Sequence, residues 1–543
     1  MHLHSRLDFH RNTLASWATW VLGTALLIVL AWWGARGIPF PLQGPIESAT
    51  SGSALLPCVS YSPFRHREGR DDITPFNYLV SVSPAQIETD LRILKTLTNC
   101  IRTYGLSQGQ DAVPAVARKL GMRVRLGVWL SRDEAQNRLQ LDRGIQLANE
   151  YKDVVDLLVV GNEVLLRREV SPENLAKYLK EARQKSPVPI TYADVWEFWH
   201  RHATLAQHVD VVTVHILPYW EDEPVQVSLA AEYVMDVAAK MQQHFAGKPI
   251  WVGETGWPAA GRQRAGAMPG KVEQSRFLND LMALAAAQKH KQLNSPSFNV
   301  IEGFDQPWKR SFEGAMGGYW GLFDQFGQAR LQMGGGITED VHWWRGPLGA
   351  MLAGAAALLV CRIRRRPMAS AVLSAALIGA VIPVQWLMVQ QWDRSPSEMV
   401  VSGFLALLGM VVTWASLQEK STKIQDVLRL TLLFAAATAA VVLLLESRYR
   451  PFPWWWFLAP TAALWAQRLR FDGKVVRATH EAMLMAAVLA GSAVLMMWAE
   501  GWRNLQAQLY GVLLLLLAAV SLWPWRTRAM SASSAAGAQS SVV

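Results

Sequence analysis

The sequence predicts an α/β protein: an extracytoplasmic (β/α)8 TIM barrel, joined to an all-α transmembrane domain of one N-terminal and about seven C-terminal helices. Three observations carry this. Apolar β-type runs recur eight times between residues 50 and 340, with helical stretches between them. Two of those runs end in Gly and then, directly or one residue on, a glutamate; these lie roughly ninety residues apart, the spacing of strands four and seven at about thirty residues per unit. From 343 to 525 the chain is a series of apolar stretches of about membrane-spanning length.

The eight predicted strands are 58–61, 100–104, 124–130, 155–161, 190–192, 209–216, 249–253 and 298–304. Ser83-Pro84 and Ser171-Pro172 each place a serine at N-cap and a proline at the first helical position. Strands alternating with helices make a parallel sheet. A doubly wound open sheet is the alternative, but no Gly-rich phosphate loop follows the first strand.

The net charge of +10 does not mark a nucleic-acid binder. The basic residues fall between apolar runs: Arg362, Arg364, Arg365 and Arg366; then Lys420 and Lys423; then Arg468, Arg470, Lys474 and Arg477; then Arg526 and Arg528. Intervening loops carry fewer, which is the positive-inside pattern. It predicts a cytoplasmic segment 1–13, a membrane anchor 14–36 and an external catalytic domain 50–340. A multi-span domain follows at 343–525, with spans near 343–361, 369–391, 398–417, 427–446, 453–467, 481–499 and 506–524. The tail 526–543 is expected to be cytoplasmic and disordered, so both termini are cytoplasmic. A cleaved signal peptide is the alternative for 14–36. Trp32-Trp33 stands near its end, where a small-x-small cleavage site would be needed. Few charges sit in mid-span, which argues against a proton-coupled transporter.

A glutamate closing a buried apolar run is a charge held at the mouth of a core, a position rarely filled without a partner or a task. Glu163 ends Val159-Val160-Gly161-Asn162-Glu163, and Glu254 lies in Trp251-Val252-Gly253-Glu254-Thr255-Gly256-Trp257-Pro258. Two facing carboxyl groups are what glycosidic-bond chemistry needs. Around them, residues just past the predicted strands are of sugar-binding type. They are Tyr61, Arg102, Tyr104, Asn162, Tyr192, His215, Tyr219, Trp257, Asp305, Trp308 and Lys309. Trp129, Trp196, Trp199 and Trp220 add further flat apolar faces. No metal or cofactor is called for.

Val-Gly-Asn-Glu, Gly-Glu-Thr-Gly-Trp-Pro and Gly303-Phe304-Asp305-Gln306-Pro307-Trp308-Lys309 resemble the signature segments of glycoside hydrolase family 17. Arg102-Thr103-Tyr104-Gly105 and His215-Ile216-Leu217-Pro218-Tyr219-Trp220 support the resemblance, which spans most of 55–330. It implies a (β/α)8 barrel acting on β-1,3-glucan with retention, Glu163 as acid/base and Glu254 as nucleophile. The layout resembles bacterial members linked to making or remodelling β-(1,3)(1,6)-glucans. Many eukaryotic relatives have Asp-Glu where this chain has Asp305-Gln306, so subsite details do not transfer directly.

Within that resemblance Asn162 is expected to bind the sugar 2-hydroxyl, and Tyr219, ahead of His215, to hydrogen-bond Glu254. Transglycosylation on periplasmic β-glucan is favoured over hydrolysis, because a tethered enzyme suits glucan emerging across the same membrane. The expected partners are β-glucan, the inner (plasma) membrane and a glucan synthase. A non-catalytic glucan sensor is the competing class, and a nucleotide-sugar synthase is disfavoured by the short cytoplasmic loops. Cys58 and Cys100 begin the first two strands. Neighbouring parallel strands rarely offer disulfide geometry, so two buried thiols are the expectation. An extracytoplasmic compartment leaves pairing open.

Overall fold

The computed structural model describes residues 36–42, 55–65, 74–77, 79–290, 296–364, 369–416, 423–446, 448–470, 474–476, 480–522 and 525–527. The segments 1–13 and 14–36, save Arg36, lie outside the described residues. The chain divides into two compact units, Pro39–Glu339 and Met1–Ile38 with Asp340–Val543.

In the first unit eight parallel strands close into a barrel: β1 Val59–Ser60, β2 Cys100–Arg102, β3 Arg123–Val128, β4 Val155–Asn162, β5 Ile190–Val195, β6 Val212–His215, β7 Ile250–Thr255 and β8 Ser297–Val300. β1 pairs with both β2 and β8, which closes the ring and excludes the open-sheet alternative. All eight predicted strands are present, most of them trimmed at their ends. They read as continuous apolar runs because a parallel sheet is covered on both faces. Val124, Leu126, Leu158, Val160, Val212, Val214 and Val252 are fully buried.

The helices α1 Pro84–Leu94, α2 Val113–Leu120, α3 Glu134–Glu150, α4 Pro172–Lys185, α5 Trp196–Arg201, α6 Val227–His244 and α7 Lys271–His290 follow successive strands. Ser83 accepts from the Gln86 amide and Ser171 from that of Asn174, as the Ser-Pro pairs predict. After β8 no long helix forms. The chain makes a 3-10 turn at Pro307–Lys309 and one helical turn, α8 Arg310–Glu313. An antiparallel pair, Phe40–Leu42 with Gly335–Ile337, joins the two ends of this unit.

Cys58 and Cys100 form a disulfide, which corrects the expectation of two free thiols. Val59 pairs with Ile101, so the two cysteines stand opposite each other one residue earlier. Their Cα atoms are 4.5 Å apart, within the range a disulfide spans. The closeness of β1 and β2 at this point overcomes the general reluctance of parallel neighbours.

The second unit holds α9 Arg345–Arg364, α10 Ala369–Trp392, α11 Pro396–Ser416, α12 Lys423–Leu445, α13 Trp454–Arg470, α14 His480–Glu500 and α15 Leu505–Leu522. Six of these are long and apolar enough to cross a membrane. The helix α13 has 17 residues and an internal Pro460, and it is not among the six. The helices α9 and α10 pack backbone to backbone: a Cβ on Gly349 would meet the Gly379 carbonyl oxygen at 2.2 Å. Such small-residue contacts are how membrane helices approach closely. Arg526 and Thr527, which the sequence reading put in the disordered tail, pair in a short antiparallel strand with Lys474 and Val475. Residues 528–543 lie outside the described residues.

Candidate active site

The two glutamates meet at the C-terminal end of the barrel strands, where barrel sites are built. Their approach depends on local irregularities. Pairing register shifts between Val159 and Asn162 on β4, between Val214 and His215 on β6, and between Val252 and Thr255 on β7. Such a shift re-aims the side chains that follow it. Gly161 has φ +87° and Glu163 φ +52°. A non-glycine residue in the left-handed region is uncommon and stands where the surroundings enforce it. Here the reward is a carboxylate turned inward over the barrel mouth.

One oxygen of Glu163, one of Glu254 and a ring nitrogen of His215 lie within 4.8 Å of one another. The Glu254 side chain is only 6% exposed, whereas that of Glu163 is 23% exposed. Glu254 is therefore the deep carboxylate and Glu163 the one nearer solvent.

Arg102 is the hub of the site. Its fully buried guanidinium donates from Nη1 to Glu254 Oε1 at 2.8 Å and to the Gly253 carbonyl at 2.9 Å, and from Nη2 to Asn162 Oδ1. The Tyr104 hydroxyl lies 2.9 Å from Glu254 Oε1 and 2.9 Å from Ser60 Oγ. Its single proton serves the charged acceptor, since hydrogen bonds to carboxylates are the stronger kind. Burial, then the Glu254 charge, pushes the Tyr104 phenol well above its ordinary range, so it stays protonated. Asn299 donates to Ser60 Oγ and to the Gly253 carbonyl, tying β1, β7 and β8 together beneath the carboxylate.

His215 lies between the two acids, with Nδ1 2.9 Å from Glu163 and Nε2 3.7 Å from Glu254. Nε2 also faces Arg102 Nη1 at 3.4 Å. A guanidinium offers only donors. Nε2 is thus assigned as the unprotonated nitrogen and Nδ1–H as the donor to Glu163. Burial pushes the Glu163 carboxyl upward. The His215 hydrogen bond, with the charges of Arg167 and Arg102, outweighs that and holds it below its ordinary value. The trio has the composition of a metal site. However, Glu254 Oε1 already receives Arg102 and Tyr104, and the adjacent guanidinium repels a cation.

The other residues singled out in the sequence divide. Lys309 donates to Glu302 at 2.8 Å, and both feel the charge of Glu254. Trp308 is half-buried and its indole donates to Gln306 Oε1 at 2.8 Å. Tyr192 donates to Asp194 and accepts from the Leu165 amide, so it anchors the turn that follows Glu163. The structure does not bring four others to the acids. Tyr61 is buried against Asp90, at 2.9 Å. The Tyr219 hydroxyl donates to the Arg262 carbonyl. This corrects the expectation that it holds Glu254, a task that falls to Arg102 and Tyr104. Trp257 is fully buried and donates to the Met268 carbonyl at 2.9 Å. Asp305 accepts from the Gly321 amide and pairs with Arg330 at 2.7 Å. Trp199 is likewise core, donating to the Thr213 carbonyl. Each was singled out by side-chain type near a strand end, and each is held elsewhere by its own hydrogen-bond partner.

Three acidic groups were missed. Glu302 follows Phe298-Asn299-Val300-Ile301 without the Gly that marks the approach to Glu163 and Glu254. Asp194 follows Tyr192 on β5. Burial, then Glu163, lifts its carboxyl to about 6. Glu313 interacts with Lys309, Glu302, Glu163 and Glu254, and burial lifts it to about 7. No sequence signal marks it, because α8 is a single turn.

Residues 58–321 match the BtgE/BtgC glycoside hydrolase domain, so the closed barrel that carries the acidic pair is similar to that family. The chain is 27% identical over 303 residues to the probable glucan endo-1,3-beta-glucosidase btgC of Aspergillus fumigatus, covering 50% of this chain and 42% of that protein. It is 28% identical over 238 residues to a glucan 1,3-beta-glucosidase of Schizosaccharomyces pombe, covering 40% and 72%. The chain thus spans less than half the length of the Aspergillus relative. Among solved structures, the family 17 β-1,3-glucanosyltransferase of Rhizomucor miehei is 23% identical with a TM-score of 0.42, covering 52% of this chain and 98% of that one.

Proposed function

We propose that this chain is a membrane-bound retaining glycosidase of the family 17 kind. It acts on β-1,3-glucan and transfers the cleaved segment to a sugar acceptor, elongating or β-1,6-branching the glucan. The observation that carries the reading is the pairing of Glu163 and Glu254. Their oxygens lie within 4.8 Å, close to the separation of about 5 to 5.5 Å that retention requires and short of the wider gap for inversion. Both donors to Glu254 act on Oε1, which leaves Oε2 to attack the anomeric carbon. As the glycosidic C–O bond breaks, protonated Glu163 gives its proton to the leaving oxygen. An acceptor hydroxyl then attacks the glycosyl-enzyme, Glu163 takes its proton, and Glu254 departs as carboxylate. Asn162, oriented by Arg102, serves the 2-hydroxyl, and Tyr104 and Lys309 complete the sugar-facing set.

The names of the relatives, glucan 1,3-beta-glucosidase and glucanosyltransferase, support the substrate class and both outcomes. The disulfide supports an oxidising, extracytoplasmic compartment for the barrel. The six apolar helices support anchorage in an inner (plasma) membrane. A glucan synthase is the partner that such tethering suits.

The test is to incubate the purified full-length protein in detergent with a β-1,3-gluco-oligosaccharide and weigh the products. Products longer than the substrate are expected, and linkage analysis then separates elongation from branching. Shorter products alone would make it a hydrolase. Glu254→Gln should lower turnover by about a thousandfold or more while retaining glucan binding. Undiminished turnover in that variant would overturn the glycosidase reading.

A further inference from the structure

We infer that Phe76, Trp308 and Phe312 form a glucan-stacking platform continuous with the catalytic cleft, which makes the enzyme select long chains over short ones. The inference rests on the proposed β-glucan activity and adds a site for the chain beyond the reacting sugars.

The three rings make one cluster. Phe76 and Trp308 have centroids 5.6 Å apart, Phe76 and Phe312 5.3 Å, and Trp308 and Phe312 6.4 Å. Large apolar side chains in mutual contact normally bury, yet Phe76 is 55% and Phe312 61% exposed. Exposed contiguous aromatics mark an interaction surface. Phe76 comes from the β1–α1 connection, and the other two come from the segment after β8. Since β1 and β8 are paired neighbours in the ring, two separate connections deliver rings to one spot.

The platform's position follows from the turn that carries it. Pro307–Lys309 and α8 form one continuous helical segment. Lys309 Nζ lies 5.8 Å from the Trp308 ring centroid and 2.8 Å from the carboxylate of Glu302, just past β8. The rings therefore begin beside a charged pair at the strand-end face that carries Glu163 and Glu254.

Gln306 explains how an exposed tryptophan is held still. Its Oε1 accepts from the Trp308 indole at 2.8 Å and from Ser62 at 3.3 Å, and its amide donates to the Ser62 carbonyl at 3.0 Å and the Phe304 carbonyl at 3.3 Å. A glutamate here would accept from the indole but has no N–H for either carbonyl. The one departure from the family 17 pattern noted in the sequence thus sets the ring that anchors the platform. A ring fixed in advance costs less entropy when a sugar stacks on it.

The test uses the full-length protein in detergent and compares kcat/KM for a long and a short β-1,3-gluco-oligosaccharide. Phe76→Ala and Phe312→Ala alter exposed side chains and are expected to fold. Each should lower the long-to-short ratio about tenfold, the size of one lost aromatic contact. Phe76→Tyr should restore the ratio. In a Glu254→Gln background, direct calorimetric binding of the long oligosaccharide should weaken by the same factor on Phe76→Ala. This reads the platform even if turnover of β-1,3-glucan proves absent. An unchanged ratio together with unchanged long-chain binding would overturn the platform. A wild-type protein that turns over no β-1,3-glucan, yet binds it through Phe76, would overturn the enzyme reading alone.

Discussion

His215 sets the acidity of Glu163. Its Nδ1–H bond works against burial and holds that carboxyl below its ordinary value. The proposed mechanism needs Glu163 protonated in the first step, so it predicts activity that falls as pH rises through that lowered pKa, with an acidic optimum. Replacing His215 with Ala removes the largest lowering influence. The alkaline limb of kcat/KM should then move to higher pH, and a limb that stays or moves lower would contradict the arrangement. Asp194 gives a second residue-scale outcome. Its folded pKa of about 6 lies above the ordinary 3.8, so the folded state binds the proton more tightly than the unfolded one. Its contribution to stability is complete below about 4 and is lost as pH rises to about 6. Asp194→Asn should flatten the decline in melting temperature across that window, followed by fluorescence of the barrel tryptophans.

Among the elements, β1 and β2 carry the most consequence for their length. They have two and three residues, yet they supply Ser60 and Arg102 two positions past the cysteines. Linking residues 42 apart removes about 4 kcal/mol of freedom from the unfolded chain on the loop-entropy estimate. Reduction, or Cys100→Ser, should lower the barrel's melting temperature. It should also cut turnover beyond what heat stability explains, because Arg102 loses its anchored strand. Unchanged melting on reduction would show that the paired register alone suffices. The strands β4 and β7, which carry the two glutamates, were legible in the sequence as apolar runs ending at those residues. Their register shifts were not, since a shift is a relation between two strands and neither sequence contains it.

For the whole molecule, the chain divides at Glu339 and Asp340 into two compact units, which on the proposed function separate chemistry from anchorage. A fragment comprising 39–339, made in an oxidising compartment, should fold and act on short β-1,3-gluco-oligosaccharides with kcat/KM comparable to that of the full chain. The remaining unit should show no turnover. Failure of the fragment to turn over substrate that the intact protein uses would place part of the site in the membrane unit. The arginine clusters make a separate prediction, checked by labelling single cysteines in intact cells. A cysteine beside Arg364 should be shielded from an impermeant reagent, and one beside Arg394 should react.

By itself the sequence determined the barrel, its eight strands, the two glutamates at their ends and six of the apolar spans. All of these are periodicities and short motifs that a chain displays locally. Only the tertiary structure decided which side chains reach the acids. Tyr61, Tyr219, Trp257 and Asp305 have the right chemistry but are turned into the core or loops, while Glu302, Glu313 and Asp194 arrive unannounced. It also decided the disulfide and the bridging place of His215. The physical reason is the same throughout. Strand register, close backbone approach and a residue held at positive φ set the direction of a side chain, and direction is a property of neighbouring elements together.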